Sequence, residues 1–109
     1  MAYNEGLAQR VRGEMGELPG YVEKKMFGGV GFMLQGNMAC GVNGDNLIVR
    51  VGPDRYESSL AEPHTRLFDL TGRPMKGWVV IIEKGYEEDH DLKAWVQKGV
   101  EYSLSLPAK

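Results

Sequence analysis

Arg50, Arg73, Lys76 and Trp78 are the residues of this 109-residue chain whose types best suit recognition of another molecule. Thr71-Gly72-Arg73-Pro74 is a turn-like tetrad, and it presents Arg73 where a guanidinium can grip a carboxylate or a phosphate. Arg50 falls on the less apolar face of a strand, and Trp78 opens a β-branched run in which its ring is either a stacking platform or a core side chain. The bland alternative is substantial, because turn arginines mostly sit in water and a tryptophan in such a run mostly packs inward. Function nevertheless concentrates on loops held by a rigid scaffold, so these four residues form the candidate binding surface.

No catalytic or metal-ligating set accompanies them. Cys40, His64 and His90 are the soft or imidazole ligands, and no two lie at zinc-ligand spacing. A cysteine nucleophile needs a base within reach and a lowered pKa, whereas Cys40 falls on the inward phase of a strand. Gly28-Gly29-Val30-Gly31 superficially resembles a phosphate loop. Such loops open a helix, and this one leads into the apolar strand Val30 to Leu34. The run Glu87-Glu88-Asp89-His90-Asp91 reads as a solvated turn whose charge complements a helix N-terminus. The expectation is a protein that is not an enzyme, with no cofactor and no metal.

The elements that hold these residues are legible from periodicity. Between Met26 and Val51 three apolar runs, Val30 to Leu34, Met38 to Val42 and Leu47 to Val51, are separated by Gly- and Asn-rich stretches suited to tight hairpins. Period-two alternation places Val30, Phe32, Leu34, Met38, Cys40, Val42, Leu47, Val49 and Val51 toward a core. It places Gly31, Met33, Gln35, Asn37, Ala39, Gly41, Ile48 and Arg50 on the other face. Adjacent glycines at Gly28-Gly29, after the run Val22 to Phe27, predict a bent first strand. Leu7, Val11 and Met15 mark an amphipathic helix over 4–16 with Asn4 as its cap, and Gly52-Pro53-Asp54-Arg55 starts a short helix ending before Pro63. Phe68 and Leu70 form an apolar dyad, Trp78 to Ile82 read as a doubly buried strand, and Leu92, Trp95, Val96, Gly99, Tyr102, Ser103 and Leu106 stripe a last helix. The fold class is α+β: a two-layer antiparallel sheet, a meander plus one or two later strands, covered by N- and C-terminal helices and a short middle helix. Leu7, Val11, Phe32, Cys40, Val49, Val79, Ile81 and Trp95 should share one core.

Composition narrows the partners. An apolar fraction of 42% and a charged fraction of 26% are ordinary for a globular domain, and the length suits a single domain over 1–109. No apolar run reaches the roughly 18 residues of a membrane span, and a charged N-terminus without an apolar core argues against export, so the expected location is the cytoplasm. With a net charge of −2, DNA binding is expected to be weak or absent. Lys24 and Lys25 point to opposite faces of a strand, and Arg10 and Arg12 lie about 200° apart on a helix. A face bearing Met33, Ala39 and Ile48 that few helices can cover predicts a two-fold homodimer.

The segments MFGGVGFML, MACGV, LIVRVG, FDLTGRPMKGWVVI and LKAWVQKGVEYSLSLP occur in an order that resembles the TfoX/Sxy N-terminal domain family, over nearly the whole chain. The resemblance implies a compact α+β domain, similar in outline to type III secretion chaperones. In full-length members associated with natural competence it implies a second, C-terminal domain and a coregulator role. Here the chain ends at Pro107-Ala108-Lys109, and the expectation is a stand-alone domain lacking the C-terminal one. The leading functional expectation is a non-enzymatic regulatory or adaptor domain acting through contacts with an unknown protein partner. Two alternatives accompany it: a nucleic-acid-binding transcriptional regulator using Lys24, Lys25, Arg50, Arg73 and Lys76, and a small-molecule binder with a pocket near Arg73.

The inward phase of Cys40 generates the first test. Maleimide labelling at neutral pH should be slow in the native protein and fast in denaturant, and equal rates would reject burial of the thiol.

Overall fold

Asn4 caps the first helix, α1 (Glu5–Met15), its side-chain oxygen accepting from the Leu7 N–H at 3.0 Å. Leu7, Ala8, Val11 and Met15 form the buried stripe of α1. The computed structural model describes residues 3–26, 28–69 and 72–108. After α1 come β1 (Tyr21–Met26), β2 (Gly29–Leu34), β3 (Asn37–Asn43) and β4 (Asn46–Arg50). A 3-10 turn (Pro53–Arg55) leads into α2 (Tyr56–Leu60), followed by β5 (Thr65–Leu67), β6 (Trp78–Ile81), α3 (Glu83–Tyr86) and α4 (Asp89–Ser105).

The strands form one six-stranded sheet in the order β1-β2-β3-β4-β6-β5, with every neighbouring pair antiparallel. Gln35 and Gly36, both at positive φ, make the two-residue turn between β2 and β3, which matches the twist of the strands it joins. The helices α1 and α4 pack on one face, α4 against β3, β4 and β2, and α1 against β2, β3 and α4. The expected core residues Leu7, Val11, Phe32, Cys40, Val49, Val79, Ile81 and Trp95 all lie in this single cluster. Burial alone pushes the Cys40 thiol up to about 12, which keeps it protonated at neutral pH. Edge strand β1 is tied to α1 by Glu23, which accepts from Arg12 Nη2 at 2.8 Å and from the Tyr21 hydroxyl at 2.7 Å. The Arg12 guanidinium holds the Glu23 carboxyl below the usual carboxylate range.

Two sequence expectations are corrected. Gly28-Gly29 does not bend one long strand: Met26 pairs with Gly29, so the chain reverses there and two antiparallel strands replace one. Gly28, at φ 75°, supplies the backbone conformation that this hairpin needs. Phe27, beside it, lies outside the described residues, as do Leu70 and Thr71.

The second correction concerns the phase of β3. Phe32 faces Cys40, but Met33 faces Met38, so Ala39 is an extra residue in β3 and the register shifts there. Beyond the bulge the alternation is inverted. Met38 turns to the open face instead of the core, and Asn37 turns inward, where it is buried and donates to the Pro107 carbonyl at 2.9 Å. Ala39 itself is fully buried in the core cluster rather than exposed on the opposite face. Its carbonyl lies directly against α4 at Gly99, where an added Cβ would meet Ala39 O at 2.4 Å and Cys40 Sγ at 3.1 Å.

This close approach gives one substitution two opposite signs. Gly99→Ala should destabilise the domain by about 1–3 kcal/mol, because backbone must move to admit the methyl. Gly13→Ala, on the exposed side of α1 with no atom within 4 Å of the added Cβ, should stabilise it by about 0.5–1 kcal/mol. Denaturant titration of both variants checks the pair.

Candidate functional site

The face of the sheet opposite α1 and α4 contains one row that runs straight across all six strands. Lys24 pairs with Gly31, Gly31 with Gly41, Gly41 with Ile48, Ile48 with Val80, and Val80 with Arg66. Directly paired residues share a face, so these side chains lie in line, with a cation at each end and two glycines and two aliphatics between. The remaining charged strand residue on this face is Arg50, paired with Trp78. No strand residue of this face is acidic, although the chain as a whole carries a net charge of −2.

The centre of the row is a groove of about 190 Å³. Gly41 lies in its floor, and Met26, Met38, Ile48, Phe68, Met75 and Trp78 line it, while Gly31 lies beneath Met26 and Met38. A Cβ on Gly31 would lie 3.0 Å from the Met26 methyl, and one on Gly41 would lie 2.6 Å from the Met38 methyl, so the two methionines rest on bare backbone. The segment between β5 and β6 supplies the outer wall: the Met75 N–H donates to the Phe68 carbonyl at 2.9 Å, and the Phe68 and Trp78 rings lie 6.0 Å apart. A second cleft, of about 280 Å³, shares Asn43, Ile48 and Phe68 with the first and reaches Arg66 and Asp69.

Of the four residues singled out in the sequence, two meet directly. The Arg50 guanidinium stands 5.2 Å from the Trp78 ring centre and 5.3 Å from that of Tyr102 on α4, a cation held between two aromatic faces. Trp78 therefore stacks, with its own chain's arginine, and also lines the groove. Arg73 and Lys76 are exposed on the segment that carries Met75, and their side chains make no hydrogen bond or ion pair among the described residues. Arg10, Arg12, Arg55 and Lys98 each pair with a carboxylate instead.

Sequence reasoning grouped Lys24 with Arg50, Arg73 and Lys76 only in the nucleic-acid alternative, and it missed Arg66 as a member of this face and Met26, Met38, Phe68 and Met75 as its lining. The signal present was Gly31 and Gly41 on the same phase of neighbouring strands, since unneeded glycines weaken a strand unless something lies close to the backbone. Cys40 is buried, and His64 and His90 are exposed, the latter against Asp91. Among the described residues no helix is long and apolar enough to cross a membrane.

The sequence pattern of the TfoX N-terminal domain matches residues 14–103. The chain belongs to that family. The match runs from the last turn of α1 to near the end of α4, so it takes in the whole sheet and its open face. The TfoX N-terminal family supports a regulatory or competence-related domain, and it is not a known enzyme family. No curated protein matches the chain.

Arg50→Gln should destabilise the domain by about 0.5–2 kcal/mol through loss of two cation–π contacts and alter Trp78 emission, with Arg50→Lys recovering part of the loss. Unchanged melting and an unchanged emission spectrum would show that the stacked guanidinium contributes nothing to positioning Trp78.

Proposed function

We propose that this TfoX-type domain is a non-enzymatic regulatory adaptor that works in the cytoplasm through contact with another protein, using the open sheet face as its contact surface. The observation that carries this reading is the apolar groove over Gly41, one wall of which comes from the segment that also carries the exposed cations Arg73 and Lys76. An apolar centre with a polar, charged rim is the usual anatomy of a protein contact surface. Arg50 and Trp78 belong to the surface in different ways: Trp78 lines it, and Arg50 holds the ring from behind.

The two-fold homodimer is not favoured as the occupant. Ala39 is in the core and Ile48 is covered, so two of the three residues that suggested an open apolar face are already buried. Two copies set face to face would also oppose basic residues to basic residues. The same charge pattern makes nucleic acid the second reading. Against it, the groove lining is almost wholly apolar, and Arg50 is engaged between two rings. A small molecule beside Arg73 finds less support, since Arg73 lines neither the groove nor the adjoining cleft.

Affinity capture with the wild-type domain, with Gly31→Ala, and with Arg73→Gln combined with Lys76→Gln tests the adaptor reading. A protein held by wild type and released by both variants, each with wild-type melting behaviour, supports it, and equal recovery by all three sinks it. Duplex DNA titrated at two salt concentrations is expected to bind no tighter than the ~10⁻⁴–10⁻⁶ M of non-specific association. Submicromolar binding that collapses as salt rises would replace the adaptor reading with the nucleic-acid one.

A further inference from the structure

We infer that the groove takes an extended acidic segment of another protein, laid across the strands along the row from Lys24 to Arg66, with one bulky apolar side chain seated among Met26, Met38, Phe68 and Trp78. This rests on the adaptor reading and names the chemistry of the partner. Three observations carry it: the straight register of the row, the sign of the charge on this face, and the volume of the groove.

The row fixes direction and length. Six strands leave five spacings of about 4.8 Å, so Lys24 and Arg66 stand about 24 Å apart across the sheet. An extended chain covers that span with about eight residues. Gly31 and Gly41 at the centre carry only the unbranched tips of Met26 and Met38 above them, so a backbone reaches the sheet there once those two side chains move aside.

The charges fix the ends. Lys24 and Arg66 are exposed, and the strand residues of this face include no carboxylate, although Asp69, just past β5, lines the same cleft as Arg66. Arg73 and Lys76 add two further exposed cations on the segment that supplies the outer wall. Carboxylates near both ends of a bound segment would meet complementary charge, and a basic segment would be repelled. A second copy of this chain would bring the same sign to the same place.

The volume fixes the anchor. A cavity of about 150 Å³ accepts one benzene ring, so a groove of about 190 Å³ accepts one side chain of leucine, methionine or phenylalanine size. Met26 and Met38 are unbranched and can repack around whichever of these arrives. A nucleobase fits the same space less well, because the described lining is almost wholly apolar and its Asn43 already has a partner.

The test uses the full chain and a defined peptide of about eight residues, free of tryptophan, with a central leucine and aspartate or glutamate at both ends. Trp78 emission follows the titration, Trp95 being buried in the core, and calorimetry checks it independently. Binding should saturate, and it should weaken about tenfold or more when the central leucine becomes alanine or the end residues become lysine. Lys24→Glu combined with Arg66→Glu should weaken it similarly, whereas Lys84→Glu and Lys93→Glu, on α3 and α4, should leave it unchanged. The inference is overturned by no saturation at millimolar peptide, by equal affinity for the alanine peptide, by indifference to the Lys24 and Arg66 reversals, or by tighter binding of an oligothymidylate of the same length. Should the peptide fail while Gly31→Ala still releases the captured protein, the groove remains a partner site and only the acidic, extended chemistry falls. Should both fail, the adaptor reading falls with it.

Discussion

One extra residue in β3 sets the relation between the two faces of this sheet. Without the bulge at Ala39, Met38 would continue the inward series of Cys40 and Val42, and its side chain would compete with α4 for the space beneath the helix. With the bulge, Met38 swings to the open face and rests on Gly41, while the Ala39 carbonyl drops against the bare backbone of Gly99. A helix can lie that close to a sheet only where both partners are small, so the packing of α4 and the methionine wall of the groove share a single cause. The inverted phase also carries Asn37 inward, where its amide finds the Pro107 carbonyl and satisfies an otherwise costly buried polar group.

The segregation of charge follows from how the helices are held. Arg10, Arg12, Arg55 and Lys98 secure α1, the turn before α2, and α4 by pairing with carboxylates. Such exposed pairs contribute little stability each, but they occupy the cations of the helical layer. The basic residues left without such partners include those of the open face, so a weakly acidic chain presents one basic surface. That surface surrounds apolar side chains, and the combination of sign and polarity, rather than net charge, bears on what the domain meets.

Periodicity made the helices and the core side chains legible, because each rests on local spacing: Leu7, Val11 and Met15 in α1, and Val30, Phe32 and Leu34 in β2. The bulge was illegible because Met38, Ala39 and Cys40 are all apolar or small, and a slip of one position among them leaves no mark in the pattern. The row from Lys24 to Arg66 was illegible for a different reason. It depends on β6 inserting between β4 and β5, and on the register of five strand pairs, none of which local sequence specifies. Arg50 and Trp78 were legible as candidates from their types alone, but their contact with each other and with Tyr102 is a product of that same non-local pairing.

The two cations at the ends of the row occupy the two edges of the sheet, and this has a bearing on solubility. An open antiparallel sheet leaves unpaired N–H and C=O groups along β1 and β5, which can template the addition of another chain and so polymerise. Lys24 with Lys25 on β1, and Arg66 on a β5 only three residues long, place charge on both exposed edges. Edge-to-edge stacking would then force like charges together at every junction. Removing charge at Lys24 and Arg66 therefore acts on colloidal behaviour as well as on the face between them, and it brings Val22 and Leu67, the exposed apolar neighbours on those same strands, into play as sticky edges.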